Sequence, residues 1–163
     1  MKKKEFYEIN RDILNNAEFN ELKKMRHHDI TRYDHCLRVS YYTYKVTKFL
    51  HLNYIEATRA ALLHDFFTTE VMNENGLNRL LKHPAFALEN AKNYFELSPL
   101  QEDIIISHMF PVGLKVPKHV ESWLVDILDD IASVYERIYA FKLELSAAST
   151  FLFLLLLNYI RMV

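Results

Sequence analysis

His64 and Asp65 stand together at the end of an apolar run, Ala60-Ala61-Leu62-Leu63. His35 lies upstream of this doublet, and His83 and His108 lie downstream. Asp126, Asp129 and Asp130 follow as an acidic cluster. Imidazole and carboxylate together form the ligand set of a protein-bound divalent transition metal. A buried imidazole–carboxylate pair with no such cation would need another partner for its charge. These residues are where the chemistry of the chain is to be sought.

The elements that must position them read as helices. Only two glycines and four prolines punctuate the sequence. No two-residue alternation persists between turn signals, so strands are not expected. His35, Val39, Tyr42, Val46 and Phe49 fall on one helical face, which puts His35 on a buried stripe. Asn53 with Glu56 reads as a capping box, and the helix it opens carries Ala57, Ala60, Ala61 and His64 on one face. Pro84 is expected in the first turn of a helix reaching about Tyr94. Ser98-Pro99-Leu100-Gln101 combines an N-cap, a first-turn proline and a capping-box glutamine, and opens a helix with His108 near its end. Pro111, Gly113 and Pro117 mark a loop. A long helix from about Val120 to Phe141 follows, with the apolar stripe Leu124, Leu128, Ile131, Tyr135 and Ile138. The fold class is all-α, a bundle of about six or seven helices.

Periodicity leaves the acidic cluster open. Asp126, Asp129 and Asp130 lie away from the Leu124/Leu128/Ile131 stripe, as on a solvated face. Ser122, Ser133 and Ala140 share the face of Asp129, however, and small neighbours suit a surface packed closely on other helices. The spacing alone does not choose a ligand among the three. His27, His28, His51 and His119 fall near helix ends or in loops, where a solvated histidine is the ordinary expectation.

Composition narrows the classes. At 163 residues the chain reads as one domain, with residues 1–24 a helix or arm, 25–141 the metal-binding core and 142–163 an apolar C-terminal helix. The formal net charge of −1 supplies no field for nucleic acid, and the short run Lys2-Lys3-Lys4 reads as a solvated end. Cys36 is the only cysteine, which excludes an intrachain disulfide and fits a reducing, cytoplasmic setting. Glu5, Glu8, Arg11 and Asp12 interrupt any apolar leader. From Leu145 to Ile160 the chain is almost wholly apolar, just under the length of a bilayer-spanning helix. A helix that is buried or at a homodimer interface is the favoured reading, and a membrane-associated tail stays open.

The strings Tyr33-Asp34-His35-Cys36-Leu37-Arg38-Val39-Ser40 and Ala60-Ala61-Leu62-Leu63-His64-Asp65-Phe66-Phe67, then a late aspartate on a long helix, resemble the HD-domain superfamily of metal-dependent phosphohydrolases. The likeness covers about Met25 to Glu136. Arg26-His27-His28-Asp29, His83-Pro84-Ala85 and Ser107-His108-Met109-Phe110-Pro111 resemble further segments of that superfamily, in the subset holding two metals. Carried over, the resemblance implies that His35, His64, Asp65 and Asp129 hold one metal, and that Asp65 bridges to a second assisted by His83 and His108. Asp129 is taken because Glu121-Ser122-Trp123, Val125 and Asp129 resemble the phase of the superfamily's last helix. Many relatives carry lysine after that aspartate, where this chain has Asp130. The cyclic-dinucleotide branch, with its Gly-Tyr-Pro signature, is not matched.

The implied activity is hydrolysis of a phosphate ester, of a nucleotide or another small phosphorylated metabolite. It would use water activated by divalent metals, two per chain (iron, manganese or zinc), with Asp65 as the catalytic carboxylate. Lys82, Lys115 and Lys118 are weak candidates for substrate phosphate contacts. The rival reading is a non-catalytic metal- or nucleotide-binding module acting through a partner or a membrane-docked tail. With so few glycines, P-loop and dinucleotide motifs do not compete.

Overall fold

The computed structural model describes residues 2–27, 30–67 and 76–162, and within them the side chains of all but residues 2, 26, 27, 77, 79 and 144–162. His28 lies outside the described residues. The chain is all-α, with α1 (Lys2–Ile9), α2 (Arg11–Asn15), α3 (Ala17–Glu21), α4 (Arg32–Phe49), α5 (Tyr54–Leu63), α6 (Gly76–Tyr94), α7 (Pro99–Ser107) and α8 (Val120–Met162). Strands were not expected, yet β1 (Arg26–His27) and β2 (Ile30–Thr31) form a two-stranded antiparallel ribbon before α4.

The N-terminal helices close one side of the core with buried Phe6, Ile13, Phe19 and Leu22. Two polar anchors fix them. Glu5 of α1 accepts from Tyr44 Oη at 2.8 Å and Tyr54 Oη at 3.1 Å, and it also pairs with Lys48. Arg59 of α5 grips Asp12 with two bonds, at 2.6 and 2.7 Å, and donates to the Ile9 carbonyl.

Helix starts follow the caps read from the sequence. Ser98 and Gln101 form the reciprocal capping box of α7. Asn53 caps α5 through its side chain, but the expected box is incomplete there. The Asn53 N–H donates to Glu121 Oε1 at 3.1 Å instead, which ties the start of α5 to the start of α8. Ala57, Ala60 and Ala61 of α5, Ala87 and Ala91 of α6 and Ala132 of α8 are all fully buried, so these helices can approach closely.

Several expectations need correction. Pro84 lies inside α6, which starts earlier, at Gly76; the helix continues past the proline at the loss of the bond an N–H there would make. The stripe on α4 is buried at His35 and Val39 but turns outward, and Phe49 is 81% exposed. The long helix and the apolar C-terminal segment are one helix of 43 residues.

The largest difference is on α8. Its buried face is Ser122, Val125, Asp126, Asp129, Ala132, Glu136 and Ala140. The apolar stripe does not meet the core: Leu124 and Leu128 are half-buried, while Ile131, Tyr135 and Ile138 are exposed. The aspartate face packs inward because its alanines and serines permit close contact and its acids find buried partners.

Candidate metal centre

α5 and α7 end in the same device. His64 is the C-cap of α5, and its Nδ1 lies 2.8 Å from the Ala61 carbonyl. His108 is the C-cap of α7, and its Nδ1 lies 2.8 Å from the Ile105 carbonyl. Each ring thereby satisfies a carbonyl that the helix end leaves without an intrahelical donor. An Nδ1–H donated backwards leaves the Nε2 lone pair facing forwards. His35, in the first turn of α4, is held likewise by a carboxylate: its Nδ1 is 3.0 Å from Glu136 Oε2. Oxygen acceptors that fix the tautomer in this way are characteristic of metal-ligating histidines.

The forward nitrogens converge with two aspartates. His35 Nε2 is 2.8 Å from Asp129 Oδ1, and His64 Nε2 is 3.5 Å from the same oxygen. Asp65 follows His64 into the turn after α5. Its Oδ1 is 3.4 Å from His83 Nε2 and 3.8 Å from His108 Nε2, and those two nitrogens are 2.9 Å apart. Ligand atoms of His35, His64 and Asp129 lie within 4.8 Å of one another, as do those of His64, Asp65 and His108. All six residues expected at the centre are thus brought together and buried. Among the acidic residues of α8, Asp129 enters the cluster, Asp130 is exposed and Asp126 is turned to the loop at Phe110.

The electrostatics call for positive charge. Burial lowers the basicity of His35, but its hydrogen bonds to Asp129 and Glu136 prevail and raise its pKa to about 10. Burial acts the same way on His64, and the Asp129 charge again prevails, so its pKa is raised. Burial opposes ionisation of Asp129, yet the two imidazoles hold it well below the usual carboxylate range. His108 goes the other way: burial, then the charges of His64 and His83, push it down to about 3 and keep it neutral. The two helix C-termini add partial negative charge on the same side.

A divalent metal fits this donor set. His64 Nε2 is fully buried, faces the cluster and makes no hydrogen bond of good geometry. His108 Nε2, neutral, presents a lone pair toward Asp65 and His83. Buried imidazole nitrogens aimed at carboxylates, each ring fixed from behind, are the chemistry of a transition-metal site.

Three charged residues beyond the expected set support it. Glu136 is buried; its second oxygen is 2.5 Å from Arg38 Nη1. It lies two turns beyond Asp129 on the same buried face of α8. Arg32 is buried in front of the doublet, its Nε 3.7 Å from Asp65 Oδ2 and its Nη1 donating to the Phe67 carbonyl at 2.9 Å. Its guanidinium stacks 3.6 Å from the Phe67 ring centre. No periodicity rule points to a buried arginine at the first position of α4.

Lys82, Lys115 and Lys118 are exposed. Lys118 instead lines a cavity of about 370 Å³ with Glu102, Asp103 and His119, apart from the cluster. His51 and His119 are exposed, and Cys36 is a buried thiol whose pKa burial raises well above the ordinary value.

The HD-domain family model matches residues 32–133, and the chain belongs to the HD-domain family. Its members are mostly metal-dependent phosphohydrolases. No curated protein and no solved structure matches the chain.

Proposed function

We propose that the chain hydrolyses a phosphate ester of a nucleotide or another small phosphorylated metabolite, using two divalent metals of the iron, manganese or zinc type. The observation that carries this reading is the set of back-tethered rings, His35, His64 and His108, aimed at Asp65 and Asp129. His35, His64, Asp65 and Asp129 would hold one metal. Asp65, His83 and His108 would hold the other. Metals bound there would supply Lewis acidity toward phosphoryl oxygens and bring the acidity of water near neutral pH.

The chain's own groups do the rest. The Asp65 carboxylate, between His83 and Arg32, orients the attacking water, whose oxygen bonds to phosphorus in line with the departing oxygen and whose proton leaves with the expelled alcohol. Arg32 holds the Asp65 carboxylate directed into the cluster. Burial of the cluster keeps bulk water out and strengthens each charge–charge contact. Glu136 and Arg38 lock the His35 ring from behind.

Metal analysis of the purified chain, with hydrolysis measured on bis(p-nitrophenyl) phosphate and a panel of nucleoside monophosphates, tests the proposal. Two equivalents of metal per chain and turnover abolished by chelation are expected. Metal without turnover on any phosphoester would favour the non-catalytic module, and absence of metal would sink the reading.

A further inference from the structure

Because α8 turns its small and acidic residues inward, its other face is apolar and, among the described residues, exposed. Ile127 is 49% exposed, Ile131 54%, Val134 56%, Ile138 52% and Phe141 64%. With half-buried Leu124 these residues alternate steps of three and four, the seam of a coiled coil. In the sequence the positions in phase with this seam, Leu145, Ala148, Leu152, Leu155, Tyr159 and Met162, stay apolar to the end of the same helix, within a segment that is almost wholly apolar. Six heptads kept in phase on a helix about 65 Å long, by the rise per residue, are a pattern that a second helix satisfies.

We propose that the occupant is a second copy of this chain, and that two α8 helices pair antiparallel along their whole length. Residues 141–162 of each copy then cover the exposed seam at residues 120–138 of the other. Two observations select this occupant and this direction. The first is area. The described seam exposes on the order of 600 Å² in each copy, so covering it in both copies buries on the order of 1,200 Å² in all, the lower end of the range for a stable interface.

The second is charge at the positions flanking the seam. In the antiparallel, full-overlap register Arg137 falls level with Glu144 of the partner subunit, and the two-fold axis makes the contact twice. A parallel pair would instead set Arg137 against Lys142 of the partner subunit, a like-charge contact. Asp129 and Glu136 lie on the opposite face of α8, so the interface leaves the metal centre untouched.

The test uses the full chain in sedimentation velocity from 1 to 50 µM, with metal content measured alongside. A dimer is expected. Ile131→Glu with Ile138→Glu should shift it to monomer with metal content unchanged. Arg137→Glu should weaken the dimer about tenfold, and adding Glu144→Arg should restore it. A parallel pair predicts the reverse, since Arg137→Glu would then gain Lys142 of the partner subunit as a counter-charge. A wild-type monomer across the range overturns the proposal, as does a dimer that survives the double Ile variant. A chain that is monomeric and floats with phosphatidylcholine vesicles assigns the face to a lipid surface and overturns it equally.

Discussion

Replacing Glu136 by glutamine separates a residue that positions a ligand from one that merely fills space. The side chain is 2% exposed and its two oxygens have different duties: Oε2 takes the His35 Nδ1–H at 3.0 Å, and Oε1 takes Arg38 Nη1 at 2.5 Å. Glutamine has the same shape but a single acceptor oxygen. If that oxygen stays with His35, the amide N–H groups face Arg38, donor against donor. A hydrogen bond to a charged group is worth about 1.5–3 kcal/mol. Arg38 is 28% exposed, so water recovers part of this and the smaller figure applies. If the amide turns the other way, His35 loses its acceptor, the ring takes the other tautomer, and Nε2 carries a proton instead of a lone pair.

Either outcome weakens metal binding without opening a cavity. Loss of such a supporting carboxylate typically costs 10–100-fold in metal affinity, or about 1.4–2.7 kcal/mol. The assay is competition against a chromophoric chelator at fixed pH, beside far-ultraviolet dichroism and thermal melting of the metal-free protein. Glu136→Gln should bind metal 10–100-fold more weakly, with helicity intact. Glu136→Asp, which keeps the charge, should recover part of the affinity. Wild-type affinity in Glu136→Gln would refute the reasoning, because His35 would then need no tether to act as a ligand.

Asp65→Ala should abolish turnover and lower metal content while most helicity remains; normal turnover with full metal content would remove Asp65 from the site. His83→Ala and His108→Ala should each bring metal stoichiometry from two toward one per chain and slow catalysis strongly, and wild-type values in both would leave a mononuclear centre as the better account. Metal affinity should rise with pH. Despite burial, Asp129 and Glu136 raise His35 to about 10, above its ordinary value of 6.5, so between pH 6 and 8 an incoming metal must displace a proton. The apparent affinity should strengthen about tenfold per pH unit for each such proton, and a flat profile across pH 6–8 would contradict the assignment.

The motif residues and the helix caps were the legible part of this chain. Ser98 and Asn53 cap where their side-chain chemistry says they should, because capping depends on neighbours three residues away. His35 and His64 read as buried because they share helical faces with Val39 and with three alanines, and the interior does hold them. Glu136, Arg32 and Arg38 were not legible as parts of the site. Their partners lie far along the chain, 101 residues from Glu136 to His35 and 35 from Arg32 to the Phe67 carbonyl. Local spacing carries no record of such contacts.

The misreading of α8 has the same origin and a more general cause. An apolar stripe marks the core side of a helix only when the core asks that helix for hydrophobic burial. Here the inner face must deliver Asp129 to two imidazoles and Glu136 to a third contact, and it must come close enough to do so across Ser122, Ala132 and Ala140. A carboxylate buried without a cation would be costly, but opposite His35, His64 and Arg38 its burial is compensated. The inner face is therefore taken by chemistry, and the large apolar residues are displaced to the outside. From Leu124 to Phe141 those on one line alternate steps of three and four. A face exposed merely as a consequence of the site would have no reason to keep that alternation. The regularity is what a second helix requires, so the same geometry that explains why the acids are inside also explains why the outside is built to be covered.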